Sequence, residues 1–308
     1  AGDADQRAVP PPSPRPACLA HPRLRRSSPV FQFAVAAAVE ALGAAPADGE
    51  RLGVILAVHS GCVQYSRRFH AEVLRDPATA SPLLFPETVF NAPASHLAAV
   101  LGTRAVNYTL IGDAAAFLDG LGLAANWLAA GELEACLVVG AEELDPLTLA
   151  AFRLFAPRIT LAEGAGALLL RAGEAAGARA ELRAVTEAHT FTDRAGRDAA
   201  AAGVSGNGPG WSPRRGAAGR CGAPLGDGPD HRHAFAGEHL SPGRVLGHGL
   251  GAGAAWQACL AVELAGSSSG PVAVSAVGVN QQAAGAVFSG WPAGDARREA
   301  APCPSASS

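Results

Sequence analysis

Three consecutive segments leave the middle of this chain little conformational freedom. The apolar runs 105–110 and 134–139 flank residues 113–129, which are apolar at helical spacing. Two short strands joined by one long helix pair in parallel through a right-handed crossover, so the segments predict a βαβ unit. Asp113 stands where a carboxylate caps the first turn of that helix. Upstream, Leu52–Val58 is apolar without interruption, as in a strand covered on both faces. Pro29–Leu42 repeats Val30, Phe33, Ala37 and Leu42 at helical spacing before Gly43 stops it. A helix with Tyr65, Phe69 and Val73 on one side and a short helix at 94–101 follow. Segments 165–170 and 182–185 read as paired strands. Regular patterning resumes with a helix after His248 and strands at Val272–Val277 and 285–288. Strands alternating with helices predict a layered α/β protein with a mixed sheet. Small-residue turns at Asp113 and His248, each opening an apolar helix followed by a strand, predict two related halves.

Composition sets the boundaries. Residues 1–28 are rich in proline and arginine, with five prolines from Pro10 to Pro16, and predict an extended, poorly ordered leader. Residues 29–172 and 173–292 form the two halves, with an irregular, Gly/Pro-rich region at 190–237, and 293–308 is a disordered polar tail. With 308 residues, 49% of them hydrophobic, the chain can bury a large core in two closely packed halves. A net charge of −3 gives no basic footprint for nucleic acid. All 24 basic residues are arginine, which excludes lysine Schiff-base chemistry. No apolar run reaches the roughly 18 residues of a membrane span and no signal peptide opens the chain, so a cytoplasmic protein is expected. The six cysteines, Cys18, Cys62, Cys136, Cys221, Cys259 and Cys303, show neither zinc-ribbon nor disulfide-scaffold spacing, and reduced thiols are expected. The absence of methionine, even at position 1, predicts a processed or incomplete N-terminus.

The most chemical-looking segment is Gly247-His248-Gly249-Leu250-Gly251-Ala252-Gly253, a glycine-rich turn entering an apolar helix. Helix N–H groups beside His248 favour a neutral imidazole, either as a reactive group or as a buried, hydrogen-bonded one. The glycines alternate strictly and do not form a dinucleotide fingerprint, so no cofactor is expected. His231, His233 and His239 lack the carboxylate or thiolate partners of a defined zinc site and read as a solvated loop, with no metal. Cys62, in His59-Ser60-Gly61-Cys62, is either a stray nucleophile or, as is commoner, an inert packing residue. Cys136 and Cys259 lie inside apolar elements and read as core.

The order and spacing of several motifs carry a family resemblance. Phe90-Asn91-Ala92-Pro93-Ala94-Ser95-His96, Tyr108-Thr109, Gly131 to Glu142 ending in Val-Val-Gly-Ala-Glu, Gly164-Ala165-Gly166-Ala167-Leu168 and the His248 turn together resemble the β-ketoacyl-acyl carrier protein synthases of the thiolase-like superfamily. The resemblance spans about residues 29–290. It implies a five-layer αβαβα fold of two pseudo-repeated halves, the second shortened, working as a dimer. It also implies a cysteine acylated at a strand-to-helix turn, with two histidines assisting decarboxylation and condensation. A thiol at a helix N-terminus is acidified, and imidazole N–H groups hold an enolate oxygen.

The chain departs from that pattern at the reacting groups. The nucleophile position falls on Ala114, within Ile111-Gly112-Asp113-Ala114-Ala115-Ala116, and a methyl group carries no acyl chain. Asn207, in Val204-Ser205-Gly206-Asn207-Gly208, replaces the first histidine and cannot shuttle a proton. The family lysine corresponds to Gly243, beside Arg244, so only His248 remains. The opening strand has no counterpart, the stretch from Glu142 to Gly206 is short, and His96 is structural, beneath the nucleophile position. Asp113 caps the helix and would repel a malonyl carboxylate.

These substitutions imply a partner subunit similar to the chain-length factors, pairing with an active synthase or with itself, shaping an acyl tunnel and meeting an acyl carrier protein with its acyl chain. Two alternatives stand beside this reading. One is an acyl-transferring or condensing enzyme that uses His248 without a covalent step, and the other is a decayed homologue.

Overall fold

The computed structural model describes residues 6–43, 49–157, 159–173, 177–204, 222–225, 240–267, 270–278 and 282–291. Its first half runs β1 (Gln6–Arg7), α1 (Pro29–Leu42), β2 (Leu52–Val58), α2 (Val63–Arg75), α3 (Ala92–Leu101), β3 (Asn107–Ile111), α4 (Ala115–Ala129), β4 (Ala135–Glu142), α5 (Pro146–Phe155), β5 (Leu161–Ala162) and β6 (Gly164–Arg171). The remainder is β7 (Ala180–Val185), β8 (His189–Thr190), α6 (Arg194–Ala202), β9 (Gly222–Leu225), α7 (Gly243–Leu246), α8 (Gly253–Ser267), β10 (Val272–Val277) and β11 (Gln282–Gly290).

Strand periodicity explains the layers. In β2, Val54, Leu56 and Val58 turn to one face and Ile55 and Ala57 to the other, and β4 alternates in the same way. The first set packs under Phe31, Val35 and Ala38 of α1 and Leu97 of α3. The second meets Ala115, Phe117, Leu118 and Leu121 of α4 and Ala254, Ala258 and Ala261 of α8. Those two helices also cover Val272, Val274, Ala284, Ala286 and Phe288 of the second sheet, whose far side meets Ala200 and Ala201 of α6. The order is therefore helix, sheet, helix pair, sheet, helix, the five layers expected.

The first sheet is ordered β3-β2-β4-β6, with β2 parallel to both neighbours and β6 antiparallel to β4; the second is ordered β7-β11-β10-β9, with β8 also on β11. Segments 165–170 and 182–185 were expected to pair with each other. They lie in different sheets instead, β6 on β4 and β7 on β11, because each has an apolar face that a central helix covers. The irregular stretch expected at 190–237 contains α6, opened by an Asp193 side chain that accepts the Gly196 N–H, and β9 paired with β10. The leader expected to be disordered is described from Gln6, with residues 7–17 exposed and its anchoring contacts confined to a few positions. Gln6–Arg7 pairs in parallel with Leu161–Ala162, and Leu19 and Leu24 join the core around α1, so its few leucines anchor a proline-rich segment.

Small residues set the distance between the first sheet and α8. A Cβ on Gly140 would lie 2.7 Å from the Gly251 carbonyl oxygen and 2.8 Å from the Ala255 Cβ, and one on Gly166 would lie 3.0 Å from the Ala255 Cβ. Gly140→Ala should therefore lower unfolding stability by about 1–3 kcal/mol, the usual range for overpacking a tight core. Urea denaturation of the variant against the parent checks this, and an unchanged midpoint would contradict the close approach.

Candidate functional site

The C-terminal ends of β2 and β4 meet the N-terminus of α4 and the His248 turn. Parallel strands all present their carboxyl ends on one side, which is where open α/β sheets gather functional groups. Here that edge is lined with buried acids. Glu142 is fully buried at the end of β4, and its carboxylate accepts N–H bonds from His59 (2.9 Å), Ser60 (2.9 Å) and Gly251 (3.3 Å). Glu143 accepts from Gln64 (2.9 Å) and Val30 (3.2 Å). Asp145 caps α5 through the Leu147 N–H and holds Arg67 at 2.8 Å. Burial pushes both glutamates up to about 7 against the opposing pull of those N–H donors.

His248 is fixed by its backbone. Its N–H donates to the Thr160 carbonyl (2.7 Å), its own carbonyl accepts from Ala162 (3.0 Å), and Nδ1 accepts the Leu250 N–H at 3.3 Å. That last bond makes Nδ1 an acceptor and fixes the tautomer of the ring. Gly247 has φ +93°, and a Cβ there would lie 3.0 Å from both the Thr160 oxygen and the Ala162 Cβ, so only glycine suits the turn. Leu250, fully buried, holds φ +46°, a left-handed conformation costing about 1–3 kcal/mol in a non-glycine residue.

Ala114 is the residue just before α4 and is 8% exposed. Asp113 is 1% exposed, and its Oδ1 accepts the Ala115 N–H at 3.3 Å, which is the capping contact expected of it. His59 follows β2 directly. Desolvation lowers its pKa while the Asp113 carboxylate and a hydrogen bond to the Gly112 backbone pull it back, and its ring lies edge-on to Phe152 at 6.2 Å.

The thiols are placed for packing. Cys62 is the residue before α2, its Sγ 3.8 Å from Ser28 Oγ, and burial pushes it up to about 12. Cys136 is buried in β4 and pushed up to about 12 for the same reason. Cys259 is partly exposed on α8, with its thiol on the Ala167 carbonyl. His96 bonds Glu87 at 3.0 Å and lies against Phe31, as a structural residue does. Asn207, His231, His233, His239, Cys221 and Cys303 lie outside the described residues. His59, Glu142, Glu143 and Asp145 were missed as site residues; their signal was the position of polar groups immediately after apolar strands.

Residues 19–176, half of the chain, match the family described as Beta-ketoacyl synthase, N-terminal domain. The chain belongs to the β-ketoacyl synthase family, with the layered ketosynthase fold. Over 135 residues it is 27% identical to 3-oxoacyl-[acyl-carrier-protein] synthase 2 of Vibrio harveyi, a match covering 42% of this chain and 32% of that protein. Among solved structures, the ishigamide ketosynthase/chain length factor is similar over 88% of this chain and 83% of its own, at TM-score 0.73 and 22% identity. A β-ketoacyl synthase from Burkholderia phymatum STM815 has TM-score 0.73 and 16% identity over 92% of this chain and 86% of its own. A type II polyketide ketosynthase in complex with its acyl-carrier protein has TM-score 0.70 and 16% identity over 88% of this chain and 85% of its own.

The raised glutamates make stability depend on pH. A carboxyl held up to about 7 when folded, against an ordinary value near 4.3 when unfolded, contributes stability that is complete below the lower value. That contribution is lost as pH rises through the upper one. The denaturation midpoint should therefore fall between pH 5 and pH 7.5, and less steeply in Glu143→Gln; parallel slopes would refute the assignment.

Proposed function

We propose that this chain is a non-condensing ketosynthase-fold subunit of fatty acid or polyketide biosynthesis. It pairs with a cysteine-bearing synthase and shapes the tunnel for an acyl chain delivered by an acyl carrier protein. The observation that carries this reading is Ala114. It occupies the turn into α4, where the family's nucleophile is expected, and its methyl side chain cannot form a thioester. The nearest alternatives in chemistry are unhelpful, since the thiols of Cys62 and Cys136 are buried and resist ionisation.

The partner surface has a specific candidate. Among the described residues, β3 is the edge of the first sheet, with a backbone row unpaired by any other strand on one side. Val106, Tyr108 and Ile111 are exposed along it, at 37%, 47% and 59%. No charged side chain or proline interrupts 106–111, which is how protected edges are normally blunted. No described helix is long and apolar enough to cross a membrane, and we place the complex in the cytoplasm.

Purified alone, the protein should neither retain labelled acyl groups nor release carbon dioxide from malonyl-carrier protein, and turnover in either assay overturns the reading. If turnover is found and disappears in His248→Ala, the condensing alternative is correct. Ile111→Lys should abolish association with a synthase in sedimentation experiments while leaving the chain's own melting temperature nearly unchanged. Undiminished association would remove β3 from the interface.

A further inference from the structure

We propose that Asp113 is a specificity-determining residue at the N-terminus of α4, a carboxylate that bars a second negative group, thiolate or malonyl carboxylate, from position 114. The inference deepens the partner reading and rests on it for its biological meaning. Its geometry does not.

Asp113 directly precedes Ala114 and is 1% exposed. One oxygen accepts the Ala115 N–H, and the carboxylate lies against Gly278, just past β10, where a Cβ would fall inside it. Both halves of the fold therefore hold the side chain in place.

A helix N-terminus offers an anion roughly half a positive charge. A full negative charge in the same turn reverses that preference. The reversal is felt by two neighbours. At His59, desolvation lowers the pKa and Asp113 opposes it; at Asp119 on α4, desolvation raises the pKa and Asp113 raises it further. His59 comes from the end of β2 and Asp119 from α4 itself. Glu142 of β4 lies behind His59 on its backbone N–H, and among the described residues of the second sheet Gly278 lies against Asp113 and Gln282 of β11 near Gly112. The active-site turn of an acylating enzyme needs the opposite field, because the thiolate is its nucleophile. Restoring sulfur alone would therefore not restore acylation.

The test installs a reporter thiol in the full chain. In Ala114→Cys with 13Cβ-labelled cysteine, the new thiol should titrate above the ordinary cysteine value of about 8.5. In Ala114→Cys/Asp113→Asn its midpoint should fall by about one unit or more, a tenfold rise in its ionisation constant. Asn keeps an oxygen for the Ala115 N–H. Identical midpoints, or a single-variant thiol below 8.5, overturn the proposal. A second measurement leaves position 114 untouched: the His59 imidazole should titrate lower in Asp113→Asn than in the parent, and an unmoved midpoint also overturns it. Neither titration requires a partner. Failure to bind a synthase would sink the partner reading while these results stand.

Discussion

One buried carboxylate ties the two halves of this protein together. Glu142, on the last residue of β4, receives N–H groups from the turn that follows β2 and from Gly251 in the His248 turn. An acceptor-only side chain can collect several such donors, and a buried donor left unmatched costs about 1–3 kcal/mol. The ion itself is costly to bury, which is why its proton is held up to about 7. The arrangement makes sense only because Gly140, Gly166 and Gly251 let the backbone of the His248 turn come down onto the sheet. Close approach and carboxylate are one device, since the Gly251 N–H reaches Glu142 only where the backbone comes down onto the sheet.

The parts of the fold that depend on local periodicity were legible in the chain. Pro29–Leu42, Leu52–Val58 and Val272–Val277 have the expected bounds, and β3, α4 and β4 deviate by a few residues. What was illegible depends on partners distant in sequence. The pairing of β6 with β4 and of β7 with β11 follows from which central helix covers each strand, a contact that the apolar pattern of an isolated strand cannot specify. The leader departs from expectation mainly at its end: residues 7–17 are exposed, while Leu19 and Leu24 join the core. Helices α5 and α6 were missed for a similar reason. Each is opened by an aspartate cap, Asp145 or Asp193, that reads as loop chemistry until the N–H group it accepts from is known.

The candidate site was legible in its named motif and obscure in its electrostatics. His248 and Ala114 announce themselves through glycine spacing and family likeness. Asp113 was read as a cap, which it is. Its repulsion of a malonyl carboxylate was also legible; what was not is the contact with Gly278, 165 positions downstream, which forms only when the second sheet is folded against α4. The acids at the end of β4 were quoted as a motif without a function, because a glutamate that collects backbone N–H groups has the same sequence appearance as one facing water.

The two departures at α4 are physically coupled. A cysteine there gains reactivity from the helix N-terminus, so a negative residue beside it would work against catalysis. Once position 114 is alanine, that conflict disappears, and a carboxylate can cap the helix and satisfy the Ala115 N–H at no cost to chemistry. If position 114 is the nucleophile position, as proposed, an alanine there permits a carboxylate that an acylating turn would disfavour. After that charge is locked against Gly278, sulfur at 114 is disfavoured in turn. On the reading proposed above, stability and inertness at this turn reinforce each other, as a subunit that contributes shape rather than a covalent bond would require.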